Sequence, residues 1–254
     1  MLKKMMNWKH ILLAAVLVIL VVGAYWLKTR PKPATIDTTR RESTRKESTQ
    51  DLLQRGIREH NAGALDVALD LYHKALQRDP GNATAHYNIA QIYNARNQYA
   101  HAQWGYEATL KTDPNFLDAR INLGVVLYRQ RKFAPAAEEF KKVLQTSPQN
   151  PTALFNLGVT FIEMDQNDQA IKWLIEALRH DPKRVGSHYY LGLAFQRQKR
   201  LPEAKAALQK AIELNPRHAD AYFVLSKVYS AQGEKRLAEE AMKKAFELNP
   251  NLKK

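Results

Sequence analysis

The chain has 254 residues, 45% of them apolar, no cysteine, and a formal net charge of +14. The missing thiols exclude disulfides, zinc–thiolate sites, thiol catalysis and a lipidated N-terminal cysteine. Residues 1–48 hold ten Lys or Arg against three Asp or Glu, which is +7 and leaves +7 for the 206 residues that follow. No Lys/Arg stripe interleaved with aromatics points to nucleic acid.

A basic tail over 1–9 leads into an uncharged run at 11–27, ILLAAVLVILVVGAYWL, and the spacing predicts a single transmembrane anchor helix over 10–27. From Trp8 to Trp26 a helix rises about 27 Å, close to the ~30 Å of a bilayer core. Trp8 at one end and Tyr25 with Trp26 at the other sit where amphipathic rings favour the two interfaces. The competing reading is a leader cleaved near Ala24. The run exceeds the 7–15 apolar residues usual for one, and bulky Tyr25 and Trp26 follow at once, so retention is favoured. Lys3 and Lys4 on a short tail resist translocation, which places the repeats on the far side, the periplasm in a bacterium. Residues 28–48, rich in Pro, Thr, Ser and Arg, read as a polar, basic linker; a polar extension of the first helix from about Arg40 is the alternative.

From 49 onward the chain repeats. Pro80, Pro114, Pro148, Pro182, Pro216 and Pro250 fall at one fixed interval, which divides 49–252 into six units of 34 residues: 49–82, 83–116, 117–150, 151–184, 185–218 and 219–252. The twentieth place is Ala68, Ala102, Ala136, Ala170, Ala204 and Ala238, and the eighth is Gly56, Ala90, Gly124, Gly158, Gly192 and Ser226. Glycine inside a helix is unfavourable by about 1 kcal/mol, so close approach of a neighbouring helix must offset it. The alanines are expected to be the facing small residues. Ile89, Leu123, Leu157, Leu191 and Leu225 at the seventh place and Tyr72, Tyr106, Phe140, Leu174, Leu208 and Met242 at the twenty-fourth supply the apolar stripes.

Small, aromatic and proline residues in this order resemble the tetratricopeptide-repeat family over 49–252. The resemblance implies an all-α, right-handed superhelical solenoid of six helix-turn-helix repeats, preceded here by the transmembrane helix. It also implies that the first helices line a concave groove that binds a protein or peptide partner. Arg55 and Glu59 replace large apolar residues in the first unit, as suits a polar terminal cap. At the other end Phe246 and Leu248 are expected to be partly exposed, which opens self-association or partner docking through the last repeat; coverage by Lys243, Lys244 and other polar neighbours is the alternative.

In the groove the resemblance places Tyr87, Ile121, Phe155, Tyr189 and Phe223 at the fifth position and Asn88, Asn122 and Asn156 at the sixth. A carboxamide both donates and accepts, so three in register can hold an extended backbone without reading its side chains. The row is similar to the asparagine ladder in the superhelix of O-linked N-acetylglucosamine transferases. Val125, Tyr128, Val159 and Leu193 stand beside it, with Ile162, to bury apolar side chains of the same peptide. The same asparagines are common in the family, and the aromatics can pack between neighbouring first helices, so a packing role stands beside the binding one. The carboxylate clamp of some members is not implied, since its places hold Tyr87, Gln91, Asp118 and Asn122.

No phosphate-cradling loop, HExxH or serine elbow is present, and the eight histidines are scattered without metal-ligand spacing. The sequence therefore predicts no enzyme, no cofactor, no metal site and no nucleic-acid partner. It predicts a membrane-anchored scaffold for an extended protein segment. The alternative is an assembly subunit that resembles anchored repeat proteins of cytochrome maturation or of secretion and pilus machinery, docking by its convex face or C-terminal end.

Overall fold

The computed structural model describes residues 47–253. The anchor expected over 10–27, its interface residues Trp8, Tyr25 and Trp26, and the linker as far as 46 lie outside the described residues. Among those described, no helix is long and apolar enough to cross a membrane.

The described chain is all-helical. Six pairs succeed one another: α1 (Thr49–Asn61) with α2 (Leu65–Arg78), α3 (Ala83–Ala95) with α4 (Tyr99–Thr112), α5 (Leu117–Arg129) with α6 (Phe133–Thr146), α7 (Pro151–Glu163) with α8 (Asn167–His180), α9 (Val185–Arg197) with α10 (Leu201–Leu214), and α11 (Ala219–Ala231) with α12 (Lys235–Leu248). A 3-10 turn, Pro250–Lys253, closes the series. Each helix packs on the next in the chain, and first helices also touch across units, α1 with α3, α5 with α7, α7 with α9 and α9 with α11. Packing is thus between near neighbours throughout, the arrangement of a solenoid.

Local signals set the helix limits. Ser48 caps α1 reciprocally with Asp51: Asp51 N donates to Ser48 Oγ at 3.1 Å and Ser48 N donates to Asp51 Oδ2 at 2.9 Å. Asn82 and Asn150 accept from Ala85 N and Ala153 N at the starts of α3 and α7, where Pro151 occupies the first turn. Inside each pair the three-residue turn has its middle residue in the left-handed region. Gly63 and Gly233 fill that place in the outer units, but Asn97, Arg131, Asp165 and Lys199 fill it in the inner four, with φ of 58°, 60°, 56° and 59°. Three of the five turns between units are tied back by the fourth residue of the following helix. His86 Nε2 and His188 Nε2 donate to Pro80 O and Pro182 O at 2.9 Å, and Arg120 Nη2 donates to Pro114 O at 2.7 Å.

The small residues of the first helices lie where two helices nest, though not quite as expected. A Cβ built on Gly56, Gly124, Gly158 or Gly192 would come within 2.5–2.7 Å of Tyr72, Phe140, Leu174 or Leu208, the side chain at the twenty-fourth place. The facing group is therefore this large side chain, and not the alanine at the twentieth place; Ala204 contributes only its carbonyl, 3.3 Å from the Gly192 site. The alanines are fully buried beside it from Ala68 to Ala204. A semi-buried ion pair, Arg120 Nη1 to Glu139 Oε2 at 2.9 Å, adds a polar tie between α5 and α6.

Candidate functional site

On the first helices, the expected groove residues separate into three neighbourhoods. The N-terminal one is already internally satisfied. Tyr87, half-buried on α3, stacks on Phe116 with ring centroids 4.7 Å apart, and its hydroxyl accepts from Asn122 Nδ2 at 3.2 Å and from Gln91 Nε2 at 3.0 Å. Asn88 donates to Thr84 O at 2.9 Å within its own helix. Ile121 is half-buried beside Asn122.

The central neighbourhood is a hollow of about 170 Å³ built by α5, α6, α7 and α9. Val125, Tyr128, Phe155, Asn156 and Val159 line it, joined by Phe140 from below and by Arg129, Thr160 and Tyr190 at its sides. Its volume is close to the ~150 Å³ of the handful-sized apolar cavities that take up benzene, so one branched or aromatic side chain fits. Thr160 turns its hydroxyl away, donating to Asn156 O at 2.6 Å. Among the described residues Asn156 makes no side-chain hydrogen bond, which leaves a half-buried carboxamide at the rim with donor and acceptor available.

The third neighbourhood is aromatic. Tyr190 stands edge-on to Phe155 at 5.9 Å and to Tyr189 at 4.9 Å, and Tyr189 lies 4.8 Å from His218. Gly186 leaves room for the Phe155 ring, whose nearest atoms would sit 3.1 Å from a Cβ there. Leu193 packs half-buried against the core. Phe223 lies apart on α11, with Lys227 Nζ 4.3 Å over its ring. The structure thus brings five of the expected residues into one hollow and ties Tyr87 to Asn122, while Asn88, Leu193 and Phe223 join neither group.

Tyr190 and Arg129 were not singled out by sequence. Tyr190 sits at the sixth place, where asparagine drew attention in the three preceding units. Its departure from that row was the available signal.

Electrostatics keeps the hydroxyls of this wall protonated. Burial, and then the Glu163 carboxylate, push Tyr128 up to about 12; Tyr128 Oη donates to Glu163 Oε1 at 3.4 Å. Burial, and then Asp220, push Tyr189 up to about 12. Tyr190 is raised by burial and then by Glu163, and Tyr87 by burial and then by Asp118, against the lowering effect of the Asn122 hydrogen bond. At neutral pH Tyr87, Tyr189 and Tyr190 can donate to a carbonyl, while the Tyr128 proton is engaged by Glu163. Among the described residues, no group of three or more His, Asp or Glu is placed to hold a metal ion.

Comparison with known proteins agrees with the repeat geometry. Tetratricopeptide-repeat profiles match residues 60–103 and 127–193, 95–151, and 184–251. No curated protein matches the chain by sequence. Among solved structures, PilW, a type IV pilus biogenesis factor, is similar with a TM-score of 0.69 and 22% identity over 80% of this chain and 94% of that one. MamA from Desulfovibrio magneticus RS-1 gives 0.62 and 23% over 66% and 96%. YrrB, described as a repeat protein with an unusual peptide-binding site, gives 0.59 and 22% over 70% and 92%. At these identities the likeness establishes the fold.

Proposed function

Since the chain belongs to the tetratricopeptide-repeat family, we propose that it is a protein–protein interaction scaffold, held at a membrane by segment 10–27, whose first-helix wall binds an extended segment of a partner protein. The observation that carries this reading is the central hollow, sized for one side chain, with the Asn156 carboxamide uncommitted at its rim. An apolar side chain of the guest enters between Val125 and Val159, and Asn156 pairs with the adjacent backbone amide. Asn122 is held by one N–H on the Tyr87 hydroxyl, so the grip is centred on repeats three to five and not spread evenly along a ladder.

A photoreactive residue at Val159 will capture the guest, and the captured segment, made as a peptide, will bind the full chain. Asn156→Ala combined with Val125→Glu is expected to weaken that peptide by at least about tenfold. Binding unchanged in the double variant would overturn the reading. The expected far-side location of the repeats is checked by a C-terminal alkaline phosphatase fusion, active only when exported.

The assembly-subunit reading has its own observation. On the last described repeat a hollow of about 920 Å³ lies between α11 and α12, lined by Ala238, Met242 and Phe246 with Lys227 and Lys243 at its edge. Ala238 and Met242 are only half-buried, whereas their counterparts in the five earlier units are 0–1% exposed. Removing 219–254 separates the two readings, because only the assembly role predicts loss of association while the hollow of repeats three to five still binds its peptide.

A further inference from the structure

The second helix of repeat two breaks the repeat frame at three places that lie together. The twenty-second place is exposed in every other unit and holds Asp70, Glu138, Lys172, Ala206 and Glu240; in repeat two it is Trp104, 61% exposed. One turn on, the twenty-sixth place is Lys74, Lys142, Glu176, Lys210 and Lys244 elsewhere, but Ala108 here. Between them Gly105 lets α4 approach α3 so closely that a Cβ would meet that of Ala90 at 2.8 Å. A long charged side chain is missing where it would shield the surface, and a bulky aromatic stands next to the gap.

The outcome is an open hollow of about 620 Å³, away from the first-helix wall. Leu76, Pro80 and Gly81 come from the end of repeat one, His86 from α3, and Trp104, Ala108, Lys111 and Thr112 from α4. The floor is fixed: His86 is 8% exposed, its Nε2 donates to Pro80 O at 2.9 Å, and its ring meets the Trp104 indole edge-on at 5.5 Å. His86 Nδ1 is buried with no hydrogen-bond partner among the described residues. The walls are mainly apolar, and the Thr112 hydroxyl among them donates to Ala108 O at 3.4 Å. At the rim the Lys111 ammonium forms no ion pair among the described residues; Glu107, one turn before it, accepts instead from Gln103 Nε2 at 2.7 Å.

An exposed indole beside a concave apolar surface is the composition of an interface anchor point, and a solvated position gains nothing from Trp. The unpaired cation at the edge gives the guest its sign. We infer that this hollow is a second docking surface, independent of the groove, for a protein segment that presents one bulky apolar side chain next to a carboxylate: the side chain lies on the Trp104 indole over Ala108, and the carboxylate meets Lys111. Its volume lies within the range of about 300–1,000 Å³ typical of sites that enclose a ligand group.

The test uses the full chain in detergent micelles and a displayed library of random dodecapeptides, with enriched peptides measured by fluorescence anisotropy. The deciding variant is Ala108→Lys, which fills the gap with the residue that four other units carry at the same exposed helical place, so the fold is kept; circular dichroism checks this. The expected result is a set of peptides with Phe, Trp or Leu beside Asp or Glu. Their Kd rises on the order of tenfold or more with Ala108→Lys and with Trp104→Ala, and is unchanged with Asn156→Ala. Lys111→Glu weakens them too, and exchanging the peptide's acid for Lys restores binding to that variant. If no such peptides are enriched, or if those enriched bind Ala108→Lys as tightly as the parent chain, the second surface does not exist. Weakening by Asn156→Ala assigns the peptides to the groove and also overturns it.

Discussion

Gly158 shows what a single missing Cβ achieves. A methyl group there would lie 2.7 Å from Leu174 Cγ and 3.3 Å from its backbone nitrogen, so the neighbour cannot yield by a rotamer change alone. Gly158→Val is expected to destabilise by about 1–3 kcal/mol, the range for overpacking a filled core, with the helix-propensity gain on leaving glycine only partly offsetting it; urea denaturation measures the loss. Tyr72 makes the opposite case. Its ring covers Gly56, but its hydroxyl is buried without a hydrogen-bond partner among the described residues. Tyr72→Phe should therefore hold or raise stability at neutral pH, by up to about 1 kcal/mol. Burial also pushes the Tyr72 hydroxyl up to about 12, against about 10 in an unfolded chain. Between these values the unfolded state loses a proton that the folded state keeps, so this contribution is complete below about pH 10 and is lost as the pH rises towards 12. Denaturation midpoints taken across that interval should fall less steeply in Tyr72→Phe than in the parent.

At the scale of the helix, much was legible because the repeat states the same constraint six times. A lone glycine in a helix says little; glycine, alanine or serine at the eighth place of every unit says that a neighbouring helix presses close there. The alanines misled for a related reason: smallness at the twentieth place indicates crowding, but the periodicity cannot tell which of two neighbouring places lies directly opposite. The candidate wall was legible only in part. Asn88, Asn122 and Asn156 look alike in sequence, yet one bonds its own helix, one is held by the Tyr87 hydroxyl of the preceding unit, and one is left open. Those fates depend on what stands one unit away, where Tyr87 is present for Asn122 and an aliphatic Ile121 for Asn156. The left-handed turn residues went unread because only the outer two are glycines. Lys199 holds a φ of 59° at an exposed place, a conformation that disfavours a side chain by about 1–2 kcal/mol. Lys199→Gly should consequently stabilise by roughly 1 kcal/mol, allowing for the entropy that glycine returns to the unfolded chain, and a thermal melt will show it as a rise of a few degrees.

Over the whole described region, stability is a chain of local terms, because α1 and α2 share no packed face with α11 and α12. Amide exchange should be fastest in the outermost pairs and slowest in α5 to α8. Ala238 and Met242 give up the cover that inner units enjoy, so α12 should exchange faster than α8. Uniform protection from α1 to α12 would contradict this additive picture. The peptide hollow sits in the best-supported stretch, between repeats three and five, which suits a surface that must keep its shape before a guest arrives.

Every unit spends thirteen residues on its first helix, three on the inner turn, fourteen on its second helix and four on the way to its successor, without exception among the five complete junctions. Such strict metre makes the molecule editable. A duplicated cassette spliced at Pro148 or Pro182 would meet the same mating faces it left, lengthening the array by one fixed step while each neighbour keeps its own partners, whereas gaining or losing even one residue inside a cassette would rotate everything downstream out of phase.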